Sequence, residues 1–162
     1  DMEELSITDI GLDESQASLS IKGIPDTPGV AATIFDATAA AGIIVDMIIQ
    51  SYLDQDNIAS ISLTVPRRDV EKTVTVLQQL AGDFQGEQEI VSNPAIAIVS
   101  VSGIGMRSHT GVALRMFKAL SDAKINIEMM NTSEMRVSIV VDSEHAQQAE
   151  LVLTQVFADV HH

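Results

Sequence analysis

The chain has no cysteine, which excludes disulfides, thiolate catalysis and cysteine-bound metals and fits a reducing compartment. It also has no tryptophan and a single tyrosine, Tyr52, so its core must be built from Ile, Val, Leu, Ala and Met. Basic residues are scarce. Nine Lys and Arg stand against 23 Asp and Glu, a formal net charge of −14. Nucleic-acid affinity rests mainly on Lys and Arg, so this balance argues against a nucleic-acid partner, and it repels anionic membrane surfaces. No run approaches the roughly 18 apolar residues that span a bilayer. The N-terminus has no secretory pattern, and neither a Walker loop nor G-x-G-x-x-G occurs. These absences predict a cytoplasmic protein with no nucleic-acid or membrane partner. Its 162 residues suffice for one generous domain or two small ones.

What is present is a repeat. "DTPGVAATIFDATAAAGIIVDMIIQS" (26–51) lies over "SHTGVALRMFKALSDAKINIEMMNTS" (108–133) without a gap. Gly29, Val30, Ala31, Phe35, Ala37, Ala41, Ile43, Met47 and Ser51 recur 82 positions later, and Asp46 is matched by Glu128. A single register for so many matches points to internal duplication.

Each copy parses alike. "SLSIKGI" and "AIAIVSVSGI" alternate as strands. A glycine-containing turn leads into a helix, whose inner face is expected to carry Val30, Ile34, Phe35 and Ala41 in one copy and Val112, Met116, Leu120 and Ala123 in the other. Strands are expected from Ile43 and from Ile125, then "IASISLTV" and "RVSIVV", then a second amphipathic helix. The order β-α-β-β-α is the ferredoxin-like plan, which needs a fourth strand. The first copy has one in "FQGEQEIVS"; the second has none left, while "ELSITDIGL" at the N-terminus is unused. The sequence therefore predicts an α+β chain of two ferredoxin-like βαββαβ units, 15–93 and 1–14 plus 94–162, the first inserted in the second.

The turns are the candidate sites. The N–H groups of Val30, Ala31, Val112 and Ala113 open helices, and a helix N-terminus favours a carboxylate or phosphate. In this plan the second strand returns to the same edge, so Asp46–Gln50 and Glu128–Thr132 are expected near the turns. Asp26 and Gln50 could then hold an ammonium or hydroxyl, which makes a site for an amino-acid zwitterion. Asp26 is equally read as a cap of a helix beginning at Thr27 or Pro28, and Gly29 and Gly111 as turn residues only. The residues alone leave turn and site open.

"GIPDTPGVA…IIVDMIIQ", "GMRSHTGVA" and "NTSEMRVSIVV" resemble the tandem ACT domains at the C-terminus of bacterial aspartate kinase (aspartokinase), over nearly the whole chain. The resemblance implies an allosteric region that binds threonine, lysine or both and feeds back on the kinase, which phosphorylates aspartate at the head of lysine, threonine and methionine biosynthesis. It implies an effector site of Asp26, Pro28, Gly29, Val30, Ala31 and Gln50, with Asn126 and Ile127 across an interface and Thr132, Ser133 and Glu134 nearby. Ser108, His109, Gly111, Val112 and Ala113 form the matching turn of the second copy. Relatives commonly have Asn where this chain has Ser51, and a small Ser where it has Asn131. The implied partners are a second copy, paired through ACT units, and a kinase-bearing α subunit or domain. No metal and no cofactor are expected in this chain; ATP and magnesium belong to the kinase portion, of which the sequence shows no counterpart. A start at Met2 resembles the separate small β subunit of some bacteria, with Asp1 and His161-His162 as additions.

Two other readings stand beside it: a tandem ACT regulator of some other protein, and a ferredoxin-like enzyme using Asp46, Glu128 and His109 in acid–base roles. Ser108 and His109 are adjacent and lack a third partner, so a nucleophile–base pair is disfavoured. Asp54 and Asp56 make too short a span for a calcium loop.

Overall fold

The computed structural model describes residues 5–53, 57–84, 86–106 and 111–161. In chain order the elements are β1 (Ser6–Asp13), β2 (Gln16–Pro25), α1 (Val30–Ala40), β3 (Ile48–Leu53), β4 (Ile58–Pro66), α2 (Val70–Ala81) and β5 (Glu89–Asn93), then β6 (Ile96–Ile104), α3 (Gly111–Asp122), β7 (Met129–Thr132), β8 (Arg136–Asp142) and α4 (Ala146–Val156). The chain divides into two compact units, Ser15–Pro94 and the pair Asp1–Glu14 with Ala95–His162, called here the first and second units.

Each unit holds one four-stranded sheet, ordered β3-β4-β2-β5 in the first and β7-β8-β6-β1 in the second. The N-terminal strand does belong to the second sheet: β1 runs antiparallel to β6 from Ser6↔Ile104 to Asp13↔Ile98. It also contributes Ile7, fully buried, to that unit's core. Both units are thus ferredoxin-like, as the strand count predicts.

Alternation explains the first core. Ala17, Leu19 and Ile21 of β2 are buried, and a register shift between Lys22 and Ile24 lets Ile24 continue the buried series. They meet Ala59, Ile61, Leu63 and Val65 of β4. On α1 the buried stripe is Val30, Ile34 and Thr38, at a strict spacing of four. Thr38 tolerates burial because its hydroxyl donates to the Ile34 and Phe35 carbonyls at 3.1 and 2.9 Å. Phe35, expected on the inner face, is 41% exposed. One residue beyond Ile34, it is turned about 100° away from the stripe. In the second unit Val112, Met116 and Leu120 of α3 are buried as the periodicity predicts.

The second unit has an extra tie at its C-terminal end. From α3, Arg115 Nη2 donates to the Val156 carbonyl at 2.6 Å and to Asp159 Oδ1 at 3.0 Å, while the guanidinium lies 4.8 Å from the ring centre of buried Phe157. Beyond that tie, His161 forms a parallel bridge to Ile7 of β1.

Corresponding features confirm the duplication and show where it changed. Ser20 and Ser62 hydroxyls pair at 2.7 Å between β2 and β4; Ser100 and Ser138 pair at 2.8 Å between β6 and β8. The first members stand 80 positions apart, whereas Val30 and Val112 of the following helices stand 82 apart. The second turn is therefore two residues longer. The second members stand 76 apart, so the β7–β8 hairpin is six residues shorter than β3–β4.

The strands predicted from Ile43 and Ile125 begin later, at Ile48 and Met129, because those earlier residues close the helices. Gly42 N–H donates to Ala39 O and Ile43 N–H to Thr38 O; Lys124 N–H donates to Ser121 O and Ile125 N–H to Leu120 O. This reverse turn needs a left-handed residue, which is Gly42 (φ 75) in the first unit but Lys124 (φ 60) in the second. A side chain there costs on the order of 1 kcal/mol.

The same two ends differ in charge. Glu128 N–H donates to the Val140 carbonyl at 2.8 Å. Desolvation, and then the neighbouring Asp142 carboxylate, push the Glu128 carboxyl above the usual range. Asp142 stays where it is because its side chain accepts the Glu144 N–H at 2.9 Å and so starts the turn into α4.

Two predictions follow from these helix ends. Gly42→Ala lowers stability by about 1 kcal/mol in a denaturant titration, and Lys124→Gly raises it by a similar amount; equal effects of opposite sign are the signature of a left-handed position. A raised folded-state pKa means that the folded chain binds the proton more tightly. The benefit is present in acid and is lost as pH rises through the folded value. Glu128→Gln therefore raises the melting temperature at pH 7 and changes it little at pH 4; an equal rise at both would show that ionisation is not the cause.

Candidate functional site

The site predicted around the first turn begins where β2 ends. Asp26, Thr27, Pro28 and Gly29 are exposed, Val30 is buried and Ala31 half-buried. Asp26 does not cap the helix: α1 starts at Val30, and its N-cap is Gly29 in a left-handed conformation (φ 91, ψ −9) with no side-chain cap bond. The space where a Gly29 side chain would project is open, so this glycine is needed for its backbone angle and leaves room in front of the helix. The turn is anchored through the backbone, with Asp26 N–H donating to the Asn57 carbonyl at 2.7 Å. Thr33 ties the other side, its N–H and hydroxyl both reaching Gly29 O at 2.9 Å. Asp26 thus lies three residues before the N-cap of an 11-residue helix whose N-terminus is its positive end.

Gln50 lies midway along the sheet, opposite Ile61, and Asp46 lies at its far end. Leu53 pairs with Ile58, itself opposite Pro25, so the last residues of β3 lie beside the turn. Gln50, opposite Ile61, is exposed on the face that α1 covers. Asp46 bonds Thr64 at the far end of β4, about 20 Å away along an extended strand. Glu128 is likewise at the far end of β8 from the second turn. The expectation that whole segments Asp46–Gln50 and Glu128–Thr132 approach the turns is not met, since an extended segment carries its residues along the sheet: Thr132 reaches the turn end and Gln50 only the middle.

In the second unit the predicted residues fall into two groups. Thr132, Ser133 and Glu134 form the β7–β8 hairpin turn, where Ser133 N–H donates to the Arg136 carbonyl at 2.8 Å. They share the end of the sheet from which β6 runs toward α3. Gly111, Val112 and Ala113 open α3, but Gly111 is already helical and lacks the positive φ of Gly29. Ser108 and His109 lie outside the described residues, as do Asp54 and Asp56.

Asn126 and Ile127 are at the other end of β7, about 16 Å from Thr132. They line an open cavity of about 470 Å³ with Phe117, Ser121, Lys124 and Ile125. Its lining mixes apolar side chains (Phe117, Ile125, Ile127) with polar ones (Ser121, Lys124, Asn126). The lysine ammonium and the Asn126 amide suit a carboxylate. The sequence reading missed Phe117, Ser121 and Lys124. Phe117 could have been found from its match to Phe35, since a helix position one step off the buried stripe in both units is a surface feature.

Asp46 belongs to the first unit and Glu128 to the second. Among the described residues no three His, Asp or Glu side chains group to hold a metal. No helix among them is long and apolar enough to cross a membrane.

Comparison with known proteins places this geometry. The ACT domain family matches residues 18–80 and 99–157, one stretch in each unit. An aspartokinase of Pseudomonas aeruginosa is 42% identical over 156 residues, which are 96% of this chain and 37% of that protein. The chain thus spans little more than a third of the length of such relatives. The regulatory subunit of aspartate kinase from Thermus thermophilus, in its ligand-free form, superposes with a TM-score of 0.87 at 35% identity, covering 94% of this chain and 99% of that one. A chain from a structure of aspartokinase alpha and beta subunits does so with a TM-score of 0.86 at 38% identity, covering 94% and 99%. With a family match in both units, and with the two solved regulatory chains covered almost end to end, the chain belongs to the ACT-domain family, among the tandem-ACT regulatory regions of aspartokinases.

Proposed function

We propose that this chain senses an amino-acid end product, L-threonine first and L-lysine second, and through it restrains an aspartate kinase in cytoplasmic lysine and threonine biosynthesis. The observation that carries the reading is the match, over 99% of its length, to a solved regulatory subunit of aspartate kinase. The site geometry is consistent with it. The N-terminus of α1 offers backbone N–H groups to the effector's carboxylate. Asp26 and Gln50 would serve its ammonium and hydroxyl. Asn126 and Ile127 of an ACT unit in a second copy would supply the remaining wall, which makes the sensing form a dimer. The chain needs no cofactor for this; ATP and magnesium would act on the kinase-bearing partner.

For such a sensor to regulate, the effector must bind one arrangement of the paired domains better than another. Contacts from two copies do this, because only the paired form presents both walls.

Calorimetric titration of the chain with L-threonine is expected to show saturable binding, accompanied in light scattering by a shift toward dimer. Asp26→Ala and Gln50→Ala each weaken it about tenfold, the scale of one lost hydrogen bond to a charged group. Because Asp26 anchors the turn through its backbone, the substitution leaves the fold intact. Threonine affinity unchanged in both variants would remove the first turn from the site.

A further inference from the structure

We propose that Tyr52 is a wall of the effector site in the first unit and gauges which amino acid the site accepts; the proposal rests on the effector-sensing reading above. Four observations place it. Tyr52 lies on the edge strand β3, two residues beyond Gln50, and pairs with Ala59. Ile48, Gln50 and Tyr52 alternate with Ile49 and Ser51, and Ile48 packs on the core beneath the helices, so Tyr52 shares that helix-covered face. Ala59 is in turn opposite Ile24, the penultimate residue of β2, so Tyr52 is level with the exit into the turn. Its side chain nevertheless remains 56% exposed.

The reason lies in the hairpin. The first unit has the longer β3–β4 hairpin and the shorter β2–α1 turn, and its strand ends at Leu53 and Ile58 lie level with Pro25 at the start of that turn. Asn57, in the same hairpin, receives the Asp26 N–H. In the second unit the corresponding position is Glu134, within the tighter hairpin turn, so the aromatic wall exists in the first unit alone.

The chemistry complements the other groups. A zwitterion whose carboxylate sits on the α1 N–H groups directs its ammonium outward, and an aromatic face attracts an ammonium. The ring also fills space beside the effector's side chain. Replacing it with valine suits a strand but removes both effects, which disfavours compact threonine and admits longer lysine.

Because the chain has one tyrosine and no tryptophan, its tyrosine emission reports Tyr52 alone. L-threonine and L-lysine are titrated into the full chain, read in parallel by heat and by tyrosine emission, and the heat titration is repeated on Tyr52→Val and Tyr52→Phe. The expected result is an emission change with the same midpoint as the heat. Tyr52→Val then weakens threonine about tenfold, the loss of one cation–π contact, and raises the affinity for lysine relative to threonine. Tyr52→Phe stays within about twofold of the parent. Saturating heat with flat emission and an unaltered Tyr52→Val overturns the role of Tyr52 and leaves the effector reading standing. No heat from either amino acid, with or without a kinase-bearing subunit, overturns both. Should Tyr52→Val fail to fold, the parent's emission and Tyr52→Phe still decide between these outcomes.

Discussion

The structure depends on one strand being supplied from the wrong end of the chain. Without β1 the second sheet would stop at β6, leave that strand's edge unpaired and expose the core that Ile7 completes. The contact is between residues almost a hundred positions apart, and such long loops cost entropy to close. The first unit offsets this cost by folding on itself. Ser18 of β2 pairs with Asn93 of β5, so the two ends of the inserted segment emerge as neighbours. Two backbone bonds pin the boundaries: Arg67 N–H to Ser15 O at 2.8 Å in the first unit, and Ser143 N–H to Ala95 O at 2.9 Å in the second. These are the same bond in the two copies, made at the entry to α2 and to α4. The duplication therefore preserved its joints as well as its sheets.

Much of this was legible in residues. Strict alternation in 17–21 and 59–65, apolar spacing of four in α3, and an unused N-terminal strand fix the fold without reference to any relative. Less legible was which side of a surface helix faces out. Phe35 looks like core on hydrophobicity, and Thr38 looks like surface on polarity, yet their burial is the reverse because a threonine can return its hydroxyl to the preceding turn. Strand starts were misplaced for a similar reason. Residues 43–47 and 125–128 are apolar enough for strands, but their first backbone groups are spent on closing the helices.

The site divides along the same line. Gly29, Val30 and Ala31 could be picked out from a repeat and from the physics of helix ends, and Gln50 from strand direction. Asn126 and Ile127 came from resemblance alone, since nothing in their spacing announces a cavity; it takes the folded helix end, with Lys124 held left-handed, to open space between Phe117 and Ile127. Thr132–Glu134 share their strand with Asn126 and Ile127 in sequence but not in space, because an extended segment separates its ends by its full length.

The two units are consequently not equivalent in shape, though they arose as copies. A short turn with a left-handed glycine and a longer hairpin shape the first. A longer turn opening on a helical glycine, with a clipped hairpin, shapes the second. The polar cavity reverses the bias: at the positions of Lys124, Asn126 and Ser121 the first unit has Gly42, Ile44 and Ala39, with Ile44 71% exposed. On the proposed reading each unit would keep one half of a polar site and have lost the other. A copy that retained both halves could bind its ligand alone and would gain nothing from pairing. On the proposed reading, complementary loss would make binding conditional on association, and conditional association would allow an effector to act on a partner it does not touch.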